Sequence, residues 1–279
     1  MLALNALVGT RPGRLLAVSM ITRDDEPRSG TQAVERALAI LGCFRDGPDE
    51  LGVSEIATRL GLRVSTAHRI VRALCNARYL EQDPVSERYR LGRELAVLGQ
   101  RAMRQLGFDL VEPALAALAA DTGESASLGV WQEGAVLVAV VVASDQPLRF
   151  DHPRGSLVPA HASAMGKAML AHVDERPEDA LALLRSLARF TPRTITSKRR
   201  LGAELDEVRA RGYALNQEER YPGVVGIAAP VLDERGRARA AVGVQGPAVR
   251  VRPERVSALG RRLQEAAATV AELLPLHRL

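Results

Sequence analysis

The sequence predicts an α+β protein built as two units, and three observations predict it. A length of 279 residues exceeds one ordinary domain and falls short of three. The first third shows short helical periodicities, a tight turn and one small hairpin, whereas the remainder mixes strands with longer helices. The 47% hydrophobic and 25% charged residues are globular values, which argue against disorder, collagen-like repeats and a polytopic membrane protein.

The charge balance narrows the class of partner. A net charge of +5 fits a nucleic acid without demanding one. Lys167 and Lys198 are the only lysines, so nearly every cation is an arginine, a side chain that forks two hydrogen bonds to guanine or phosphate. A GC-rich genome explains the overall excess, so the positions of the arginines carry the information. Cys43 and Cys75 form neither a disulfide framework nor a zinc spacing, and a reducing cytoplasm is the expected compartment. The longest apolar run, Ala135 to Ala143, is far below the roughly 20 residues that span a bilayer and reads as a buried strand. No membrane partner, cofactor or export signal is expected.

Residues 1–30 lack periodicity and read as a flexible extension. Order is expected from Thr31, with Val34, Leu38, Leu41 and Phe44 at helical spacing up to Gly47 and Pro48. A short helix follows over about Val53 to Leu60, with Gly61 as its stop. Another starts near Ser65, with Ala67, Ile70, Val71 and Leu74 apolar and Ser65, Arg69, Arg72 and Asn76 on the opposite side. Tyr79 to Gln82 and Arg88 to Leu91 read as a hairpin, Tyr89 and Leu91 facing inward and Arg88 and Arg90 outward. A linker helix over residues 93–107, carrying Leu95, Leu98 and Met103, leads to a boundary near Gly107.

Two short helices around a glycine turn, the second rich in Ser, Thr, His and Arg, make a helix-turn-helix pattern, and the hairpin supplies a wing. Ile56, Leu60, Ile70 and Leu74 lock the pair, so the polar face of the second helix projects toward a major groove. Arg63, Ser65, Thr66 and Arg69 are expected at base edges or adjacent phosphates, and Arg72, Arg88 and Arg90 on the backbone. His68 is expected as a phosphate contact or partly buried helix residue rather than a metal ligand. The same pattern also suits a protein-interaction module with a solvated arginine face.

In the second unit, helices are expected over 109–121, 177–187 and 198–211, after a Ser163 cap, and from Pro253 onward. Strands are expected over 125–131, 135–143, 213–217, 224–232 and 237–245, with residues 151–161 as a loop. If Ser163 caps a helix, the N–H groups of Ala164, Met165 and Gly166 face whatever cavity lies there, and Gly166 either admits a ligand to the backbone or permits close packing. Lys167 either attracts an anion or faces solvent.

The segments VERALAIL, VSEIATRLGLRVSTAHRIVRAL and YLEQDPVSERYRLG of residues 31–92, followed by VPAHASAMGKAMLA and RGYALNQEERYPGVVGIAAPVLDERGRARAAVGVQGP, resemble the IclR family of bacterial transcriptional regulators along nearly the whole ordered chain. The resemblance implies an N-terminal winged helix-turn-helix domain, a linker helix, and a C-terminal GAF-like effector-binding domain at residues 108–279, an antiparallel sheet flanked by helices. It implies effector contacts at Ala164, Met165, Gly166, Asn216, Val224, Gly226, Gly243 and Gln245. Asn216 departs from members with an acidic residue there, and Gly243 and Gln245 from members with small hydroxyl residues, so a different effector is expected. Gly226 and Gly243 leave room, which hints at a larger acid.

Enzymatic motifs fail on spacing. His161 stands where a P-loop needs its first glycine, Ser163 and Lys167 are four apart rather than three, and adjacent Glu218 and Glu219 cannot act as a pair. His152 and His161 lack metal-ligand partners. The expectation is therefore a non-enzymatic regulator, a repressor in the first instance, that binds a palindromic double-stranded operator as a homodimer or dimer of dimers and is switched by a small carboxylic acid. The alternative is an enzyme acting on such an acid, recruited by an accessory DNA-binding module.

Overall fold

The computed structural model describes residues 31–45, 47–173, 181, 182, 184 and 186–279. The extension expected over residues 1–30, and most of the helix expected over 177–187, lie outside the described residues. The chain divides between Arg93 and Glu94 into two compact units.

The first unit carries α1 (Thr31–Gly42), α2 (Val53–Leu60) and α3 (Val64–Asn76), then β1 (Leu80–Gln82) and β2 (Tyr89–Leu91) paired antiparallel. Helix α1 ends at Gly42, a turn earlier than the Gly47–Pro48 signal suggests. Gly61 ends α2 in the left-handed region at φ 63°, where only glycine is unstrained, and Leu62 N–H closes back on Ala57 O at 2.9 Å. That closure leaves a three-residue turn into α3. Ile40, Leu51, Ile56, Ile70, Val71, Leu74, Leu80 and Tyr89 form one buried cluster. Cys43 and Cys75 are free thiols packed at its margin.

The hairpin corrects one expectation, because Leu91 remains 46% exposed while Tyr89 is buried. Leu51 exchanges both backbone hydrogen bonds with Tyr89 at 2.9 Å, which draws that end of β2 onto the core. The other end turns away at Gly92, held to Tyr79 O.

Helix α4 (Arg93–Gln105) has no buried residue. The second unit continues with α5 (Glu112–Thr122), β3 (Ser125–Gln132), β4 (Ala135–Val142), β5 (Leu157–Pro159), a 3-10 turn (Ala160–Ala162) and α6 (Ala164–Leu170). After it come α7 (Lys198–Arg211), β6 (Ala214–Gln217), β7 (Val224–Leu232), β8 (Ala238–Pro247) and α8 (Pro253–Leu273). The strands make one antiparallel sheet in the order β5-β4-β3-β8-β7-β6.

Alternation along β7 and β8 sorts the two faces. Val225, Ile227, Ala229, Val231, Ala240, Val242 and Val244 join Leu115 of α5 and Leu259, Leu263 and Val270 of α8 in one core. Ala228 and Ala241 join α6 and α7 in another. The register then places Asn216 opposite Gly226, Gly226 opposite Gln245, and Gln245 opposite Ser125, one row across four strands.

Candidate functional site

The first candidate surface is the solvent face of α3. Arg63 stands at its N-cap, and Arg63, Ser65, His68, Arg69 and Arg72 are exposed with Thr66 half-buried, while Ala67, Ile70, Val71 and Leu74 turn into the core. His68 is therefore not a core histidine. The periodicity of the apolar residues builds this division, and the buried side holds the helix rigidly.

The two wing arginines differ in their contacts within the protein. Arg88 Nη2 donates to Glu55 Oε2 at 2.7 Å and to Glu50 O at 3.1 Å, tying the hairpin to the start of α2. The same Glu55 oxygen accepts Gly52 N–H at 2.7 Å, and that backbone bond, with the Arg88 cation, holds the Glu55 carboxyl below its usual range. Arg90 is exposed and only loosely paired with Glu81, at 3.5 Å.

The second candidate site is a cavity on the α6 face of the sheet. Its wall includes Ala164 and Met165 at the start of α6, Asn216, Val224 and Gly226 on β6 and β7, and Gly243 and Gln245 on β8. Gly166, expected among them, is not in the wall. A Cβ there would run into the Ala160 backbone, so the glycine serves close packing of α6 on the 3-10 turn. Its N–H is also spent, donated to Ser163 Oγ at 3.1 Å, so only the Ala164 and Met165 N–H groups remain of the three expected.

Lys167 corrects both alternatives drawn from sequence. It is fully buried, with Nζ 2.6 Å from Glu219 Oε1 and 3.4 Å from Glu204 Oε1. Thr194 Oγ1 donates to Glu219 O at 2.6 Å and Asn216 Oδ1 accepts Glu219 N–H at 3.1 Å, which fixes the turn after β6. Asn216 Nδ2 donates to Ala162 O at 2.6 Å, so its amide bridges three segments.

The wall also includes His152, Arg220 and Tyr221, which lie on loops and carry no periodic signal in the sequence. The Arg220 guanidinium stacks 5.1 Å from the Tyr221 ring centroid. Burial, with the Arg220 cation adding, pushes the His152 imidazole down to about 4, so it is neutral at physiological pH. The cavity volume is about 20 Å³, room for roughly one water. The room expected at Gly243 is taken by Met165, whose Cγ lies 3.0 Å from where a Cβ would stand. At Gly226 the Ala164 Cβ is 3.7 Å away.

Comparison with known families meets this geometry at both ends. Residues 33–84 match the IclR helix-turn-helix domain and residues 106–272 the bacterial transcriptional regulator IclR C-terminal domain. The chain belongs to the IclR family. Among IclR-family relatives, it is 38% identical to the HTH-type transcriptional regulator BhcR of Paracoccus denitrificans, over 87% of each chain. The structure is similar to an IclR transcriptional regulator of Alicyclobacillus acidocaldarius, with a TM-score of 0.78, 28% identity, and coverage of 87% of this chain and 98% of the other. It is also similar to an IclR homolog of Microbacterium hydrocarbonoxydans complexed with 4-hydroxybenzoate, with a TM-score of 0.76, 25% identity, and coverage of 88% and 100%. The IclR fold of a helix-turn-helix followed by an antiparallel sheet with flanking helices is thus the fold of this chain, and it is a DNA-binding transcriptional regulator.

Proposed function

We propose that this IclR-family regulator acts through residues 31–92 on a palindromic operator, with residues 93–107 as linker helix and residues 108–279 as the effector domain. Arg63, Ser65, Thr66 and Arg69 meet base edges and nearby phosphates, His68, Arg72 and Arg90 the phosphate backbone, and Arg88 chiefly positions the wing. The observation that carries this reading is the exposure of the whole polar stripe of α3 above a buried apolar side. Each such helix reads one half-site, so a homodimer or a pair of dimers is the acting species.

The cavity bounded by Ala164, Met165, Asn216, Val224, Gly226, Gly243 and Gln245 takes the effector, a small carboxylic acid; the 4-hydroxybenzoate held by one relative supports that ligand class. Gly166 supports the wall from behind. We take the second unit as a sensor rather than an enzyme, since the Ser163 hydroxyl is engaged as a helix cap. Repression is the proposed output, because blocking a promoter requires only that the protein occupy its site, and the cytoplasm is the proposed compartment. The test is footprinting of the full-length protein on DNA upstream of its own gene, with and without carboxylic acids. A symmetric footprint that an acid alters is expected, and absence of any protected sequence overturns the reading.

A further inference from the structure

The cavity wall contains His152, Arg220 and several polar groups but no Asp or Glu. Some of its polar groups are already committed. Ser163 Oγ holds Gly166 N–H, and both amide atoms of Asn216 are engaged by Ala162 and Glu219. Neighbouring Glu219 turns to Lys167 and takes no part in the wall. Arg220 differs: its Nη1 is buried and, among the described residues, has no hydrogen-bond partner. A guanidinium N–H left unpaired away from water is costly, and the guanidinium is held over the Tyr221 ring, its Cζ 5.1 Å from the centroid.

We propose that Arg220 is the anion-recognising side chain of this cavity, its unspent Nη1 donor pairing with a carboxylate brought by the ligand, so that ligand charge decides recognition before ligand shape. This rests on the reading of the cavity as the effector site. Arginine suits the task because its fork matches a carboxylate, and in a wall without acids the ligand itself completes the charge pair.

The test is thermal unfolding of the full-length protein with acetate, pyruvate, succinate, benzoate and 4-hydroxybenzoate, each beside its neutral amide, in the parent and in Arg220→Gln and Arg220→Lys. At least one acid is expected to raise the parent's melting temperature where its amide does not. Arg220→Gln is expected to raise the half-saturating concentration roughly 10- to 100-fold, as loss of a charged hydrogen bond does. Arg220→Lys, which keeps the charge and loses the fork, is expected to fall between, and carries the test if the glutamine variant folds poorly. Should an acid stabilise all three proteins equally, or acid and amide act alike, the role of Arg220 is overturned and the effector site stands. Should no compound shift any of the three, the effector-site reading itself fails and takes the inference with it.

Discussion

Lys167 Nζ lies 2.6 Å from Glu219 Oε1 with both side chains withdrawn from solvent, joining α6 to the turn after β6. Glu204 on α7 completes the contact at 3.4 Å, and Arg211 Nη2 sits 2.9 Å from the same Glu204 oxygen. Buried charges of this kind are costly to separate even where the pair itself adds little net stability.

Lys167→Met is therefore expected to destabilise the second unit by roughly 3–5 kcal/mol, because it strands the Glu219 carboxylate. Adding Glu219→Gln should recover much of the loss. Chemical denaturation of the single and double variants measures it, and a double variant no more stable than the single would contradict a paired role.

Gly166→Ala is expected to cost about 1–3 kcal/mol through overpacking against Ala160. The melting temperature without ligand should fall. A variant of parental stability that merely ignores ligand would restore Gly166 to the ligand's own contacts.

Arg63→Ala and Arg69→Ala are expected to weaken operator binding by roughly 1–3 kcal/mol each where the arginine reads a base. Arg72→Ala, at a position proposed to meet a phosphate, should instead flatten the dependence of affinity on salt by about one counterion. Gel shifts at several salt concentrations separate the two, and unchanged affinity in all three variants would remove α3 from the interface.

His152 is 7% exposed, and burial holds it down to about 4, against an ordinary 6.5 in the unfolded chain. The unfolded state thus binds the proton first, so stability is complete above 6.5 and is lost as pH falls toward 4, by up to about 3 kcal/mol. His161 and His172, also lowered by burial, act in the same direction. Unfolding between pH 7 and 4 should therefore be less steeply pH-dependent in His152→Gln than in the parent.

How much of this was legible in sequence follows from where the determinants lie along the chain. Helices α2, α3, α7 and α8 declare themselves because period and stop signals are local, with Gly61 and Gly212 both taking left-handed caps. Strand β5 and its 3-10 turn leave no mark in the sequence, since three residues ending in a proline carry no alternation. Seven of the eight expected effector contacts share one wall, since strand register aligns Asn216, Gly226 and Gln245 and α6 brings Ala164 and Met165 to the same place, yet Arg220 and His152 reach it from loops whose course no period encodes. The burial of Lys167 depends on Glu219, 52 positions away, and no window of sequence shows that pairing.

A chamber of about 20 Å³ has a kinetic meaning as well. On the proposed effector reading, a ligand bulkier than water enters only as wall side chains such as Met165 shift, so uptake is expected to be limited by that rearrangement rather than by encounter. The observed association rate should then level off at high ligand concentration, at the frequency with which the wall opens.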